Sequence, residues 1–355
     1  MIRLVLKPAR ILVGATAAAA LTFMASAALA KVNFAKEPAC QTDTPTSQGG
    51  PAPIDRDLLV IRWLGTANEE FVFRDQVILH DVYYSQYAIP PARPLGFGVK
   101  DVQKVSVILI SHGHIDHTED VPFLVKKLGV NAVGAPLTGE ILQKMGMPME
   151  HFVSVTGKDG EILTYGPVKV QPLLGLHSNS YPNWDRVSFA MTAAHKMLQD
   201  SIGATPSLAN QVEFWKMATP TADPRVITEG TIVYAIDFDG FKLVMKGGAQ
   251  DPTQYERDYL AKVGKVDMLI QAHGSSNGMI PQVAIDAEWP SIAMWKPKYL
   301  MLTHHDDVGG LVYEAATEPL FETVREKLPG TRGISAIRRA PVCIDVKTKE
   351  FYLGW

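Results

Sequence analysis

Three histidines and a carboxylate fall within six residues, His112-Gly113-His114-Ile115-Asp116-His117, directly after the apolar run Val105 to Ile110. Imidazole nitrogens and a carboxylate oxygen together suit zinc and similar divalent ions. The whole chain has ten histidines in 355 residues, so three in six is a concentration that a polar loop has no need of. Spacing decides how such ligands can meet. Offsets of 0, 2, 4 and 5 do not share one helix face, where neighbours stand three or four apart. They converge if the chain leaves a strand and wraps around one point, and Gly113 gives that loop its backbone freedom. The short β-branched run before it reads as the buried strand that delivers the loop.

The pattern His-x-His-x-Asp-His after an apolar strand resembles the signature loop of the metallo-β-lactamase fold superfamily. The opening from Trp63 to Asp81 is similar to the ascorbate-phosphate lactonase-like branch, where an apolar strand, a Gly turn and a strand-ending Asp precede the metal loop. The resemblance covers roughly residues 57 to 310 and implies an α/β fold, a four-layer αββα sandwich with the site at one edge. It implies one metal held by His112, His114 and His177, and a second held by Asp116, His117 and His304. His177 ends the run Val168 to Leu176, and His304 follows the strand Lys298 to Leu302 in Thr303-His304-His305-Asp306. A one-place slip in register exchanges His304 and His305. Asp81 would steer a ligand loop, as metal-bound imidazoles require.

One position departs from the family pattern. After the second strand of the hairpin the family has Gly-Asp-Thr, whose Asp bridges two metals. This chain reads Lys246-Gly247-Gly248-Ala249-Gln250-Asp251, with Gly248 in the place of the Asp. Asp251, three residues on, is the nearest carboxylate that can reach in. The remaining ligand set is similar to that of the true metallo-β-lactamases, and its few carboxylates favour zinc over manganese. The implied cofactor is zinc, as two ions, and the lost Asp weakens the case for the second.

The function expected is an exported zinc-dependent hydrolase that uses a metal-bound hydroxide, available near pH 7, on a small ester, lactone or phosphodiester. Asp116 can move a proton as well as bind metal. His273, at a strand end in Gln271-Ala272-His273-Gly274, and His305 are the candidates on the leaving-group side. Two rival readings are a lactamase acting on lactam antibiotics and a non-catalytic metal-binding module.

Other stretches bound the setting. Arg3, Lys7 and Arg10 precede an apolar run, Ile11 to Leu29, and Ala28-Leu29-Ala30 is a small-x-small site. Residues 1–30 therefore read as a signal peptide cleaved after Ala30, with an uncleaved anchor as the alternative, and the product as periplasmic or secreted. Cleavage moves the formal charge from −3 to −6, which gives no electrostatic reason to expect nucleic acid as a partner. A small-molecule substrate is the expected partner, and no later apolar stretch reaches the length of a membrane span. In an exported protein Cys40 and Cys343 are either one disulfide tying the two ends or two thiols. Residues 31–56 read as an irregular arm. Residues 57–355 read as one domain, with an insertion at about 178–228 that is either a lid or surface elaboration.

The elements that must position the site follow from apolar patterning. Strands are expected at 58–63, 71–73, 76–79, 105–110, 130–133, 152–155, 160–163 and 168–174. A hairpin, 231–236 and 241–245, turns at Asp239-Gly240. Further strands are expected at 266–272, 299–302, 334–338, 341–346 and 350–353. Helices are expected from a Thr118 cap to Leu128, and at 139–145, 206–217, 254–263, 284–295 and 314–328. Tyr83, Tyr84 and Tyr87 lie in a Pro-rich loop, where they either line a pocket mouth or pack.

Overall fold

The computed structural model describes residues 31–84, 96–177, 225–248, 251–273, 281–306 and 316–354. The expected signal peptide, most of the insertion including the 206–217 helix, and Tyr87 lie outside these residues. Residues Lys31–Trp355 form one compact unit.

Alternating apolar residues build two sheets that face each other. The first has eight strands in the order β15-β14-β1-β2-β3-β4-β5-β6. These are β1 (Leu58–Gly65), β2 (Asn68–Phe73), β3 (Gln76–His80), β4 (Val107–Leu109), β5 (Ala132–Gly134), β6 (Phe152–Ser154), β14 (Pro341–Asp345) and β15 (Phe351–Leu353). The second has seven, in the order β13-β12-β11-β10-β9-β8-β7. They are β7 (Leu163–Tyr165), β8 (Val168–Leu174), β9 (Ile232–Phe238), β10 (Phe241–Lys246), β11 (Met268–Ala272), β12 (Tyr299–Thr303) and β13 (Arg332–Ser335). One residue in two points between the sheets. Leu59, Ile61, Phe71, Phe73 and Ile78 of the first sheet meet Ile236, Phe238, Leu243, Ile270 and Met301 of the second in one buried core.

The outer faces carry the helices, as the αββα reading requires. Helices α1 (Ile115–Thr118), α2 (Val121–Leu128) and α3 (Pro136–Lys144) follow the strands of the first sheet. Val121, Leu124 and Val125 of α2 pack on Leu79, Ile108 and Ile110. After the short α4 (Val226–Glu229) come α5 (Gln254–Val263), α6 (Pro281–Trp295) and α7 (Glu318–Lys327). Tyr259, Ile292, Trp295, Leu320 and Phe321 of the last three cover Val244, Leu269 and Leu300 of the second sheet. Helix α5 keeps its expected bounds because Thr253 and Glu256 close a capping box at its start.

Helices α3 and α6 each begin three residues earlier than expected, and two others differ more. The chain after the metal loop is not one helix capped by Thr118 but two pieces, α1 and α2. The Thr118 hydroxyl instead donates back to the His114 carbonyl at 2.8 Å. Pro122, in the first turn of α2, lacks the N–H that a continuous helix would need. Helix α7 begins four residues later than expected, with Pro319 in its first turn. Tyr83 and Tyr84 are buried, and Tyr84 packs edge-on against Phe97.

Residues 31–56 make three short 3-10 turns and no longer element. Cys40 and Cys343 are joined by a disulfide across 303 positions, with their Cα atoms 6.0 Å apart. The same arm is gripped by a buried ion pair. Arg62 and Glu70 meet at 3.0 Å, Arg62 also donates to the Ala39 carbonyl, and Glu70 accepts the N–H groups of Thr46 and Ser47. No helix among the described residues is long and apolar enough to cross a membrane.

Candidate metal centre

The loop 111–117 leaves β4 at the edge of the first sheet, and it meets loops that leave β8 and β12 of the second. Two groups of donors result. The ligand atoms of His112, His114 and His177 lie within 4.8 Å of one another, and so do those of Asp116, His117 and His304. His112 Nε2 stands 3.1 Å from His114 Nδ1. Asp116 Oδ2 stands 3.5 Å from His117 Nε2 and 3.3 Å from His304 Nε2. A tetrahedral ion about 2.0 Å from each nitrogen needs donor separations of roughly 3.3 Å. The donor atoms fit a metal by type and by distance.

What turns these atoms inward is a buried carboxylate. Asp81 sits just past β3 with φ +47°, a backbone conformation that a non-glycine residue adopts only under constraint. Its oxygens accept the Ser111 N–H at 2.7 Å, the Ser111 hydroxyl at 2.6 Å and the His117 Nδ1–H at 2.7 Å. Having donated its proton to Asp81, Ser111 Oγ can accept from His112 Nδ1 at 2.9 Å. Both rings are thereby held with the proton on Nδ1 and the lone pair on Nε2, the nitrogen that faces the other ligands.

A second clamp fixes His304. Its backbone, at φ +61°, donates to the Thr66 carbonyl at 2.8 Å. The Thr66 N–H in turn donates to both Asp306 oxygens, at 2.8 and 3.0 Å, and Arg338 Nε donates to Asp306 at 2.9 Å. The turn between β1 and β2 therefore ties the loop after β12 to the first sheet. His305, the register alternative, faces the other way and lies with its ring 4.3 Å from that of Trp63.

The sequence matches the beta-lactamase superfamily domain over residues 78–305, more than half of the chain. The chain belongs to the beta-lactamase superfamily. It is 30% identical over 135 residues to a UPF0173 metal-dependent hydrolase of Cupriavidus taiwanensis, covering 38% of this chain and 45% of that protein. Against a UPF0173 metal-dependent hydrolase of Koribacter versatilis it is 33% identical over 147 residues, covering 41% and 59%. The chain thus spans about half the length of these relatives. Among solved structures, the metallo hydrolase Igni18 of the archaeon Ignicoccus hospitalis is similar in fold. The TM-score is 0.52 at 12% identity, covering 81% of this chain and 98% of that one.

Within this superfamily frame the middle ligand position is closed off. Gly248 is buried and offers only its backbone, whose carbonyl accepts from Gln271 Nε2 at 2.9 Å. A Cβ at the adjacent Gly247 would run into the Ser111 side chain and lie 2.7 Å from Asp81 Oδ2, so the backbone closes directly on the pair that orients the histidines. Asp251 is exposed and belongs to neither donor group. His273 also stands outside both groups. Its Nδ1 donates to the Glu288 carboxylate of α6, 2.9 and 3.0 Å from the two oxygens.

The electrostatics suit ligation. Burial works to raise the Asp116 carboxyl, but His117, His304 and His114 around it outweigh burial and hold it well below the usual carboxylate range. Burial, then the neighbouring His114 and His117, push His177 down to about 3, and burial together with His273, Arg338 and His304 does the same to His305. Burial alone would also lower His117, yet the Asp116 and Asp81 carboxylates raise it. Neutral imidazoles and one ionised carboxylate are the forms that bind a cation.

These shifts fix a pH dependence. In the metal-free protein His177 and His305 titrate near 3, and in the unfolded chain near 6.5. Between those values the unfolded chain holds more protons, so stability falls as pH drops from 6.5 towards 3, by at most about 1.4 kcal/mol per unit for each histidine. His80, His117 and His273 are raised and oppose this, so the readout is the difference: thermal melts of metal-free His305→Gln should lose less Tm between pH 7 and 5 than the wild type. A slope in His305→Gln equal to that of the wild type would contradict the assignment.

Sequence reasoning named the donors and Asp81 but passed over Ser111, Thr66, Asp306 and the buried pair Glu69–His80. Ser111 adjoins the motif and was legible in principle. The others act across strand pairings and between sheets.

Proposed function

We propose that the protein is an exported zinc hydrolase acting on a small ester, lactone or phosphodiester. The observation that carries this is the convergence of two three-residue donor groups, from three separate loops, at one edge of the sandwich. The relatives from Cupriavidus and Koribacter, named as metal-dependent hydrolases, support the same reaction class. In this reading His112, His114 and His177 hold one ion, and Asp116, His117 and His304 hold the other. Five imidazoles and one carboxylate favour zinc over magnesium, calcium or manganese, which take oxygen-rich sites. When bound, the ions supply a water that ionises near neutral pH and a Lewis acid for the substrate oxygen.

The chain's own residues do the rest. Asp81 and Ser111 keep the Nε2 lone pairs of His117 and His112 aimed inward. Asp116 turns Oδ2 to two histidines and keeps Oδ1 to take a proton from the attacking water. Glu288 holds His273 with its proton on Nδ1, so that Nε2 is the nitrogen left for exchange and His273 is the candidate on the leaving-group side, whereas His305 packs on Trp63 and faces away. The Cys40–Cys343 bridge supports export, because such bonds persist in oxidising compartments.

The test is elemental analysis of purified residues 31–355, followed by a panel of esters, lactones, phosphodiesters and a chromogenic cephalosporin. His114→Ala is the control. Zinc near two equivalents with turnover that His114→Ala removes is the expected result. Turnover confined to the cephalosporin would favour a lactamase, a reading that the missing carboxylate at Gly248 supports. A folded protein that takes up zinc and is silent across the panel would leave a metal-binding module.

A further inference from the structure

Glu69 and His80 are direct partners across β2 and β3. Both are fully buried, on the face that turns Phe71 and Ile78 into the inter-sheet core. A carboxyl and an imidazole in that place are costly unless they serve each other. His80 Nδ1 lies 2.9 Å from Glu69 Oε2 and 3.4 Å from Asp81 Oδ2. Asp81 then holds His117. Glu69 therefore stands behind the support of a second-group ligand, at the far end of the row Glu69–His80–Asp81–His117.

We propose that Glu69 and His80 are a positioning pair for the second donor group, steadying His117 through Asp81. The inference rests on the metal-centre reading above. It also gives the missing bridging Asp a counterpart: with Gly248 offering no side chain, the buried carboxylate of Asp81 stands behind the second group. The first group feels the pair only through the Ser111 hydroxyl on His112.

Two variants and two readouts test this. Glu69→Gln keeps the shape and an acceptor for His80; Glu69→Ala removes both. In metal-free wild-type protein, at a pH high enough to leave His117 uncharged, long-range 1H–15N spectra should show His117 protonated on Nδ1, and both variants should show a mixture of tautomers. In zinc titrations against a chelator, the second equivalent should bind about 10–100-fold more weakly in the variants, with the first unchanged. The visible spectrum of the second cobalt equivalent should shift alongside. His117 protonated on Nε2 in the wild type would overturn the proposal. So would unchanged second-site affinity in folded Glu69→Gln, or equal weakening of both sites, which is what mere damage to the core would give. If Glu69→Ala does not fold, Glu69→Gln decides. A wild-type protein that binds no zinc would refute the metal centre itself, while the tautomer of His117 in the metal-free protein still decides the positioning role.

Discussion

If the proposed function holds, Asp116→Asn should lower turnover of the substrate found in the panel by about 1,000-fold, the scale of losing a positioned proton acceptor. Asparagine keeps the size of the side chain and an oxygen to face His117 and His304, which stand 3.5 and 3.3 Å from Oδ2 in the native protein. What it loses is the charge. The surrounding imidazoles hold Asp116 ionised far below neutral pH, so its role does not titrate in the working range. The fall should therefore be seen as a loss of kcat at every pH from 6 to 9, with the fold unchanged by circular dichroism. Zinc content should drop by one equivalent or less, since His112, His114 and His177 do not depend on this side chain. Wild-type turnover in folded Asp116→Asn would remove Asp116 from the mechanism.

The second large effect concerns the two ends of the described chain. Replacing both Cys40 and Cys343 by serine should reduce unfolding free energy by about 5 kcal/mol, the chain-entropy value for closing so long a loop. The bridge spans 303 positions and joins the arm to β14, whose Cys343 pairs with Val60 of β1. Both sulfurs lie in a buried cluster with Val32, Leu58 and Val72. The arm should stay attached, because Arg62 and Glu70 still bind Ala39, Thr46 and Ser47. Urea unfolding followed by tryptophan fluorescence gives the midpoint with and without the bridge. An identical midpoint for the double variant would mean that the disulfide contributes nothing measurable. Activity should be little changed below the transition, since the bridge fastens the arm and neither cysteine belongs to a donor group.

Much of this protein is set by local sequence. The hexad from His112 to His117 announces a cation because its residue types have few other uses together. The strand β8, the helix α5 with its Thr253–Glu256 box and the turn at Asp239-Gly240 follow from periodicity and capping, which act over a few residues. The place of His177 and His304 was legible only through family resemblance, because nothing near either residue states what it faces. Tertiary structure decided the rest. It turned His304 inward and His305 onto Trp63, a choice made by the Thr66 carbonyl and Asp306 from elsewhere in the chain. It left Asp251 in solvent, closed Gly247 against Asp81, and matched Glu69 to His80 across two strands. These outcomes depend on strand register and sheet-to-sheet contact. Such contacts join residues tens to hundreds of positions apart, so no short stretch of the chain encodes them alone.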